Sequence, residues 1–212
     1  VSPTVTLPVF SETYVDIIQD EASLARLLPL LKKGFAFDLE TTSLVPQDAQ
    51  IVAIGITASA GISFVLDCRV SQQPLGLFDA PSQLHPLVTM LAPLLEDATV
   101  PKIVQNAKYE MEVLACYGVN LNGVAFDTMI AAYCLDSRQT IGLKDLSERY
   151  LTHDMVSFES MMGEYNHILD VPFHELATYV ADDSNVTFQL YQLFDAQLTG
   201  DLRDLFFNIE IP

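Results

Sequence analysis

The stretch FAFDLETTSL, residues 35–44, constrains this chain more than any other. It is an apolar, strand-like run that carries Asp38 and Glu40 in its interior. Side chains two apart on a strand point to the same face, so the two carboxylates leave the backbone side by side. Two anions that close repel, and burying them unpaired would cost several kcal/mol or force protonation. The local sequence supplies nothing basic to neutralise them. A cation from outside that sequence is therefore expected at this strand.

At 212 residues the chain has room for one full-sized α/β domain with a substantial core, and not for two comfortable ones. No apolar run approaches the length that spans a bilayer, and VSPTVTLPVF at the start lacks the basic-then-apolar layout of a signal peptide. The expectation is a soluble, cytoplasmic monomer with no membrane partner. Cys68, Cys116 and Cys134 are odd in number, far apart and in no CxxC arrangement, which fits reduced core thiols better than a disulfide or zinc framework. The 28 acidic and 10 basic residues give a net charge of −18, which repels a polyanion at long range. A solvated acidic surface accounts for most of these carboxylates, but not for those set inside apolar strands and helices.

Along the chain, TYVDIIQ (13–19) alternates and is β-branched, the pattern of a strand. Asp20 then caps a helix through EASLARLLPLLKKG, with Leu24, Leu27, Leu28 and Leu31 as its apolar face, Pro29 as a kink and Gly34 as its stop. FAFDLET (35–41), AQIVAIGITAS (49–59) and GISFVLDCR (61–69) read as an antiparallel meander, with SAG as a tight turn. Residues 70–83 read as a loop, and HPLVTMLAPLLED as a helix. VPKIVQNA is a short buried strand that hands over to the helix AKYEMEVLACYG. VAFDTMIAAYCLD opens extended and becomes helical, LKDLSERYL is a short helix, and residues 173–198 hold the longest helical pattern. The order predicts a mixed sheet flanked by helices.

In that last helix Tyr179 and Asp183 are four apart and share a face, while Asp182 points elsewhere. Glu110 lies in the first turns of the helix after VQNA. Singly, each has an ordinary reading as a solvated side chain or a structural hydrogen bond. Together, carboxylates from a strand and two helices with no His or Cys ligand are the oxygen-only surroundings that Mg²⁺ or Mn²⁺ prefers. Two such ions about 4 Å apart would polarise a phosphate and stabilise its leaving oxygen, so the expected target is a phosphodiester.

Three segments then carry a resemblance. FAFDLETTSL, VQNAKYEMEVLACYGV and YVADDSNVT resemble, in order, the three exonuclease motifs of the 3′-5′ proofreading exonuclease domain of bacterial family A DNA polymerases, the DNA polymerase I type. GVAFDTMIAAYCLDS and LKDLSERYL fit the same pattern, and the closing NIEIP resembles the segment where the polymerase region begins. A lone DxE would be weak; three motifs in order, over nearly the whole chain from about residue 13, are specific. The resemblance implies an RNase H-like α/β fold, a mixed central sheet with an antiparallel meander flanked by helices. It also implies one domain with its core at about 13–200, and 201–212 as the start of a connection to a polymerase domain of the same parent chain. The ends are then those of an excised domain.

Carried over by position, Asp38, Glu40 and Asp183 would ligate the first of two divalent ions, Asp38 would bridge to the second, and Tyr179 would orient the attacking water. Tyr179 marks the tyrosine subgroup; Thr178 stands where the other subgroup carries its His. The family has Asp where this chain has Glu110, the residue that usually reaches the second metal through water. The extra methylene moves the carboxylate by about 1.5 Å, which matters to Mg²⁺. Glu110 then either serves by direct or rearranged ligation, with Mn²⁺ the better fit, or leaves a weakened site. The working site is preferred because the other carboxylates and Tyr179 are present.

On the substrate side, Gln105 and Asn106 would hydrogen-bond the terminal nucleotide or hold the site in shape, and Leu44 would wedge against the terminal base or simply pack. Lys108 and Tyr109 would contact bases or phosphate, with Thr41 beside them. Asp127 reads as a structural or second-sphere carboxylate. His85, His153, His167 and His174 lie in no motif and read as surface or core residues. Three functions follow: an exonuclease acting on the 3′ end of single-stranded or frayed DNA and releasing nucleoside 5′-monophosphates, an exonuclease-like scaffold weakened at Glu110, or an RNA-trimming exonuclease. The flanking segments argue for the first over the third.

Overall fold

Alternation along one central strand decides the layers of the molecule. The structure, a computed structural model, describes residues 10–69 and 84–211; the loop expected at 70–83 lies outside these. β1 (Tyr14–Ile18) leads into α1 (Glu21–Leu31), whose first turn is closed by Asp20, which accepts from the Ser23 N–H at 2.8 Å. α1 runs on through Pro29 and buries Leu24, Leu27 and Leu31. β2 (Phe35–Thr41), β3 (Ile51–Ser59) and β4 (Ile62–Asp67) form the expected meander, turned at Gly61 with φ 82°. There follow α2 (Pro86–Glu96), β5 (Lys102–Val104), α3 (Ala107–Cys116), β6 (Val124–Asp127), α4 (Thr128–Leu135) and α5 (Leu143–Leu151). The chain then forms α6 (Phe158–Met162), the long α7 (Phe173–Gln197), α8 (Asp201–Leu205) and a π turn at Phe206–Glu210.

The sheet order is β1-β4-β3-β2-β5-β6. β1 pairs parallel with β4, and β2, β5 and β6 are mutually parallel, so β3 alone runs against the other five. Phe35, Phe37 and Leu39 point to one face of β2, where they pack with Leu24 of α1, Leu91 of α2 and Val113 of α3. Ala36 points to the other face, against Val186 and Leu190 of α7, and strand periodicity sends Asp38 and Glu40 the same way. An apolar layer therefore backs the two carboxylates, and α7 crosses in front of them.

α7 sits unusually close to the sheet at Gly55, which pairs with Asp38 across the β2–β3 ladder. A Cβ at Gly55 would lie 2.5 Å from the Val180 carbonyl oxygen, 2.9 Å from Val180 Cγ1 and 3.1 Å from Ser184 Oγ. A buried chain of hydroxyls fastens the crossing: Thr57 Oγ1 lies 2.6 Å from Ser63 Oγ and 3.0 Å from Ser184 Oγ, and Ser63 donates to the Ala181 carbonyl at 3.1 Å. Asn185 accepts from the Gly61 N–H at 2.9 Å and donates to Thr13 Oγ1 at 2.7 Å, tying α7 to the β3–β4 turn and to the segment before β1. Ser184 and Asn185 are buried on a helix because each has a partner there.

Gly55→Ala is expected to lower the thermal midpoint by several degrees, since overpacking costs about 1–3 kcal/mol and each is worth about 2–4 °C in a chain of this size. Gly142→Ala, whose added Cβ meets only Asp145 Oδ2 at 3.4 Å, should change it far less. Calorimetry of the two variants tests this; equal midpoints would remove the close approach as a determinant of the fold.

Candidate metal centre

The crossing of β2 by α7 brings Asp38, Glu40 and Asp183 together, with one carboxylate oxygen from each lying within 4.8 Å of the others. Asp183 is only 7% exposed, and Asp38 and Glu40 are half-buried. Burial pushes the Asp38 carboxyl up to about 7. Burial, and then the charge of Asp38, hold Glu40 and Asp183 well above the usual carboxylate range. Glu110, 3% exposed on α3, lies outside the three-oxygen cluster but close enough to Asp38 to be raised by burial first and by that charge second. Its Oε2 is buried without a hydrogen-bond partner among the described residues.

A buried carboxylate oxygen with no donor, beside three crowded carboxyls, is what a hard divalent cation would complete. The residues present therefore fit such an ion. None of the four histidines belongs to the cluster. His153 pairs with Asp182 at 2.8 Å and stacks on Phe10, which turns Asp182 away from Asp183 as expected; His85 Nδ1 accepts from the Leu87 N–H at the start of α2.

Tyr179 stands one turn before Asp183 on α7. Burial and the Asp183 charge raise its phenol far above the ordinary value, so it stays protonated at neutral pH. The Phe158 ring meets it edge-on, with centroids 6.3 Å apart.

Asp127 holds the second motif in place, accepting from the N–H groups of Asn106 (3.3 Å), Ala107 (2.7 Å), Met129 (2.8 Å) and Ile130 (3.2 Å). Four backbone donors leave it structural, capping α4 and fixing the start of α3 from which Glu110 projects. Asn106 occupies the left-handed region (φ 67°, ψ 57°), a conformation that Asn tolerates better than most residues, with its side chain exposed. Gln105 is engaged at both ends: Nε2 donates to the Ile141 carbonyl at 2.9 Å, and Oε1 accepts from Thr128 Oγ1. The Tyr109 hydroxyl bonds the Ser43 carbonyl at 2.7 Å and Thr41 Oγ1, pinning the turn after β2. Leu44 on that turn is 90% exposed, so ordinary packing does not hold it. Lys108 is exposed, 3.9 Å from Glu112.

Sequence reasoning did not find Gly55 or Lys144. A glycine inside an apolar strand is a known mark of close backbone approach, so Gly55 carried a readable signal. Lys144 carried none. Its ammonium on α5 lies 5.9 Å from the Tyr179 ring centroid, and its charge opposes the rise at Glu40 and Asp183.

An oxygen-only acidic cluster on the central strand of a mixed sheet, closed by a long helix, defines a nuclease-like class of RNase H-like fold. RNase D of Escherichia coli shares the fold, with a TM-score of 0.62 and 17% identity over 87% of this chain and 45% of that one. Residues 15–199 match the sequence profile of the 3′-5′ exonuclease family of the DNA polymerase A type, and the chain belongs to that family. DNA polymerase I of Chloroflexus aurantiacus is 36% identical over 210 residues, covering 93% of this chain and 21% of that protein. A solved structure described as the POL domain of Pol1 from M. smegmatis, in complex with DNA primer-template and dNTP, matches with a TM-score of 0.63. It is 26% identical, over 93% of this chain and 30% of that one. The chain thus spans about a fifth of the curated relatives it matches. No helix among the described residues is long and apolar enough to cross a membrane.

The raised carboxyls fix a pH dependence. Each holds its proton to a higher pH in the folded chain than in the unfolded one, so the folded state binds more protons. The stability of the metal-free protein then falls as pH rises from the ordinary carboxyl range near 4 towards the Asp38 value of about 7. In chelator, the thermal midpoint should be lower at pH 8 than at pH 5.5, and Asp38→Asn should recover several degrees at pH 8. Mn²⁺ should raise the wild-type midpoint at pH 8 and leave that of Asp38→Asn unmoved. A wild-type midpoint that ignores both pH and Mn²⁺ would show that the cluster is neither strained nor a cation site.

Proposed function

We propose that this chain is a metal-dependent 3′-5′ exodeoxyribonuclease domain that removes terminal nucleotides from single-stranded or frayed DNA and proofreads for a polymerase region of the same parent chain. The observation that carries the proposal is the convergence of Asp38, Glu40 and Asp183 within 4.8 Å, beside the unpartnered Oε2 of Glu110. The polymerase setting is supported by relatives named DNA polymerase I, of which this chain spans 21% in the Chloroflexus case.

In this reading Asp38, Glu40 and Asp183 would hold one divalent cation, and Asp38 and Glu110 would hold a second. Mg²⁺ or Mn²⁺, when bound, supplies the positive charge that polarises the phosphate, lowers the pKa of water and steadies the leaving oxygen. Tyr179 keeps its proton, so it orients the attacking water by hydrogen bonding and does not act as the base. The water oxygen joins phosphorus, the bond from phosphorus to the 3′ oxygen of the preceding nucleotide breaks, and that oxygen leaves with a proton. The products are a nucleoside 5′-monophosphate and a strand one nucleotide shorter.

Leu44, presented by the turn that Tyr109 and Thr41 fasten, is free to wedge against the terminal base. Lys108 and Asn106, exposed at the start of α3 beside Tyr109, would make backbone contacts, and Gln105 would hold the site in shape. The net charge of −18 makes the domain a poor binder of duplex, but a few frayed nucleotides held by cations and stacking suffice.

Digestion of a 5′-labelled single-stranded DNA oligomer with Mg²⁺ and with Mn²⁺ tests the proposal. A ladder shortening from the 3′ end is expected, reduced roughly a hundredfold or more in Asp183→Asn. No wild-type ladder with either metal, but recovery in Glu110→Asp, would make the domain a scaffold whose site has lapsed. Faster shortening of the matching RNA oligomer would reassign the substrate.

A further inference from the structure

Lys144 stands out in an acidic site because it is a cation that forms no ion pair with the described carboxylates around it. It lies in the first turn of α5, half-buried, with its ammonium 5.9 Å from the Tyr179 ring centroid. Its charge reaches Glu40 and Asp183, and also Glu159 on α6. Yet it makes no hydrogen bond and no ion pair within 4 Å to any other described residue, unlike Lys108, Arg69, Arg138 and Arg203, each of which has an acidic partner.

The placement is not left to chance. Gln105, from the motif that leads into α3, donates to the Ile141 carbonyl just ahead of α5, so the end of β5 and the start of the helix that carries Lys144 are tied together. The Tyr179 face attracts the ammonium without using up its three N–H donors. An ammonium poised beside an acidic cluster, on a flexible stem and with all its donors free, suits a ligand that brings both negative charge and acceptor oxygens. A phosphate does so, and lysine binds phosphate as a point charge rather than through a fixed fork.

We propose that Lys144 is a phosphate-binding residue, gripping the phosphate of the terminal nucleotide at the edge of the Asp38–Glu40–Asp183 cluster. This rests on the nuclease reading above and assigns to it the side chain that offsets repulsion between an acidic protein and an anionic substrate. The role is binding: Lys144 holds a non-bridging phosphate oxygen while the carboxylates keep to their cation.

Titration of thymidine 5′-monophosphate into the wild type, Lys144→Met and Lys144→Arg in Mg²⁺, with thymidine as the phosphate-free control, tests the assignment. Deleting a charged hydrogen-bonding partner should weaken the monophosphate roughly ten- to a hundredfold in Lys144→Met, and Lys144→Arg should stay within about threefold of the wild type. Thymidine should bind all three alike. Equal monophosphate affinity in the wild type and Lys144→Met overturns the assignment, as does a Lys144→Arg protein as weak as Lys144→Met, or a wild type that binds the monophosphate no better than thymidine. The cleavage assay on the wild type stands apart: absence of a ladder there refutes the nuclease reading, while the monophosphate titration still decides whether Lys144 binds phosphate.

Discussion

The closeness of α7 to β3 at Gly55 is the contact on which the site depends, because it sets how far Asp183 stands from the carboxylates of β2. A helix resting on side chains would ride well above the sheet, and Asp183 would not reach Asp38. Here Val180 and Ser184 settle directly over a residue with no side chain, and Gly55 is paired in register with Asp38 itself. The hydroxyls of Thr57, Ser63 and Ser184 then fix the helix laterally. Fold and site meet at one pair of opposed residues, one of which must be small so that the other can be joined.

That geometry concentrates negative charge where water is scarce. Asp38, Glu40, Asp183 and Glu110 all resist ionisation because of burial, and most of them resist one another as well. The free energy to hold them so comes from the apolar layer behind β2, where Phe35, Phe37 and Leu39 are almost fully buried. Carboxyls crowded in this way favour whatever brings positive charge to them. Asp127 lies close by with a different task, since four backbone N–H groups donate to it.

Much of this was legible in the sequence, and the reason is locality. The span of β2, the same-face placement of Asp38 and Glu40, the Asp20 cap and the Tyr179–Asp183 helical face follow from periods of two and of about four, which the chain displays without its partners. What the sequence hid was non-local. Nothing in TYVDIIQ says that β1 joins the sheet as a parallel partner of β4, and the short helices α6 and α8 owe their existence to packing rather than to any periodic stripe. The segment at 124–136 was readable as extended and then helical, but not as the sixth strand at the edge beyond β5. Lys144 was invisible for the same reason: its sequence neighbours are those of an ordinary amphipathic helix, and only the fold brings it to Tyr179.

The crossing of α7 over β2 also sets an order in time. Most of the chain lies between Asp38 and Asp183, and the helix bearing the latter follows all six described strands. A nascent chain that has finished its sheet holds the strand pair of carboxylates but not the residue that turns them into a three-sided cage. Contacts this distant in sequence carry the entropic cost of closing the loop between them. The three-carboxylate cluster therefore requires α7 to be docked on the sheet, and a molecule without that docking carries only the strand pair of acids.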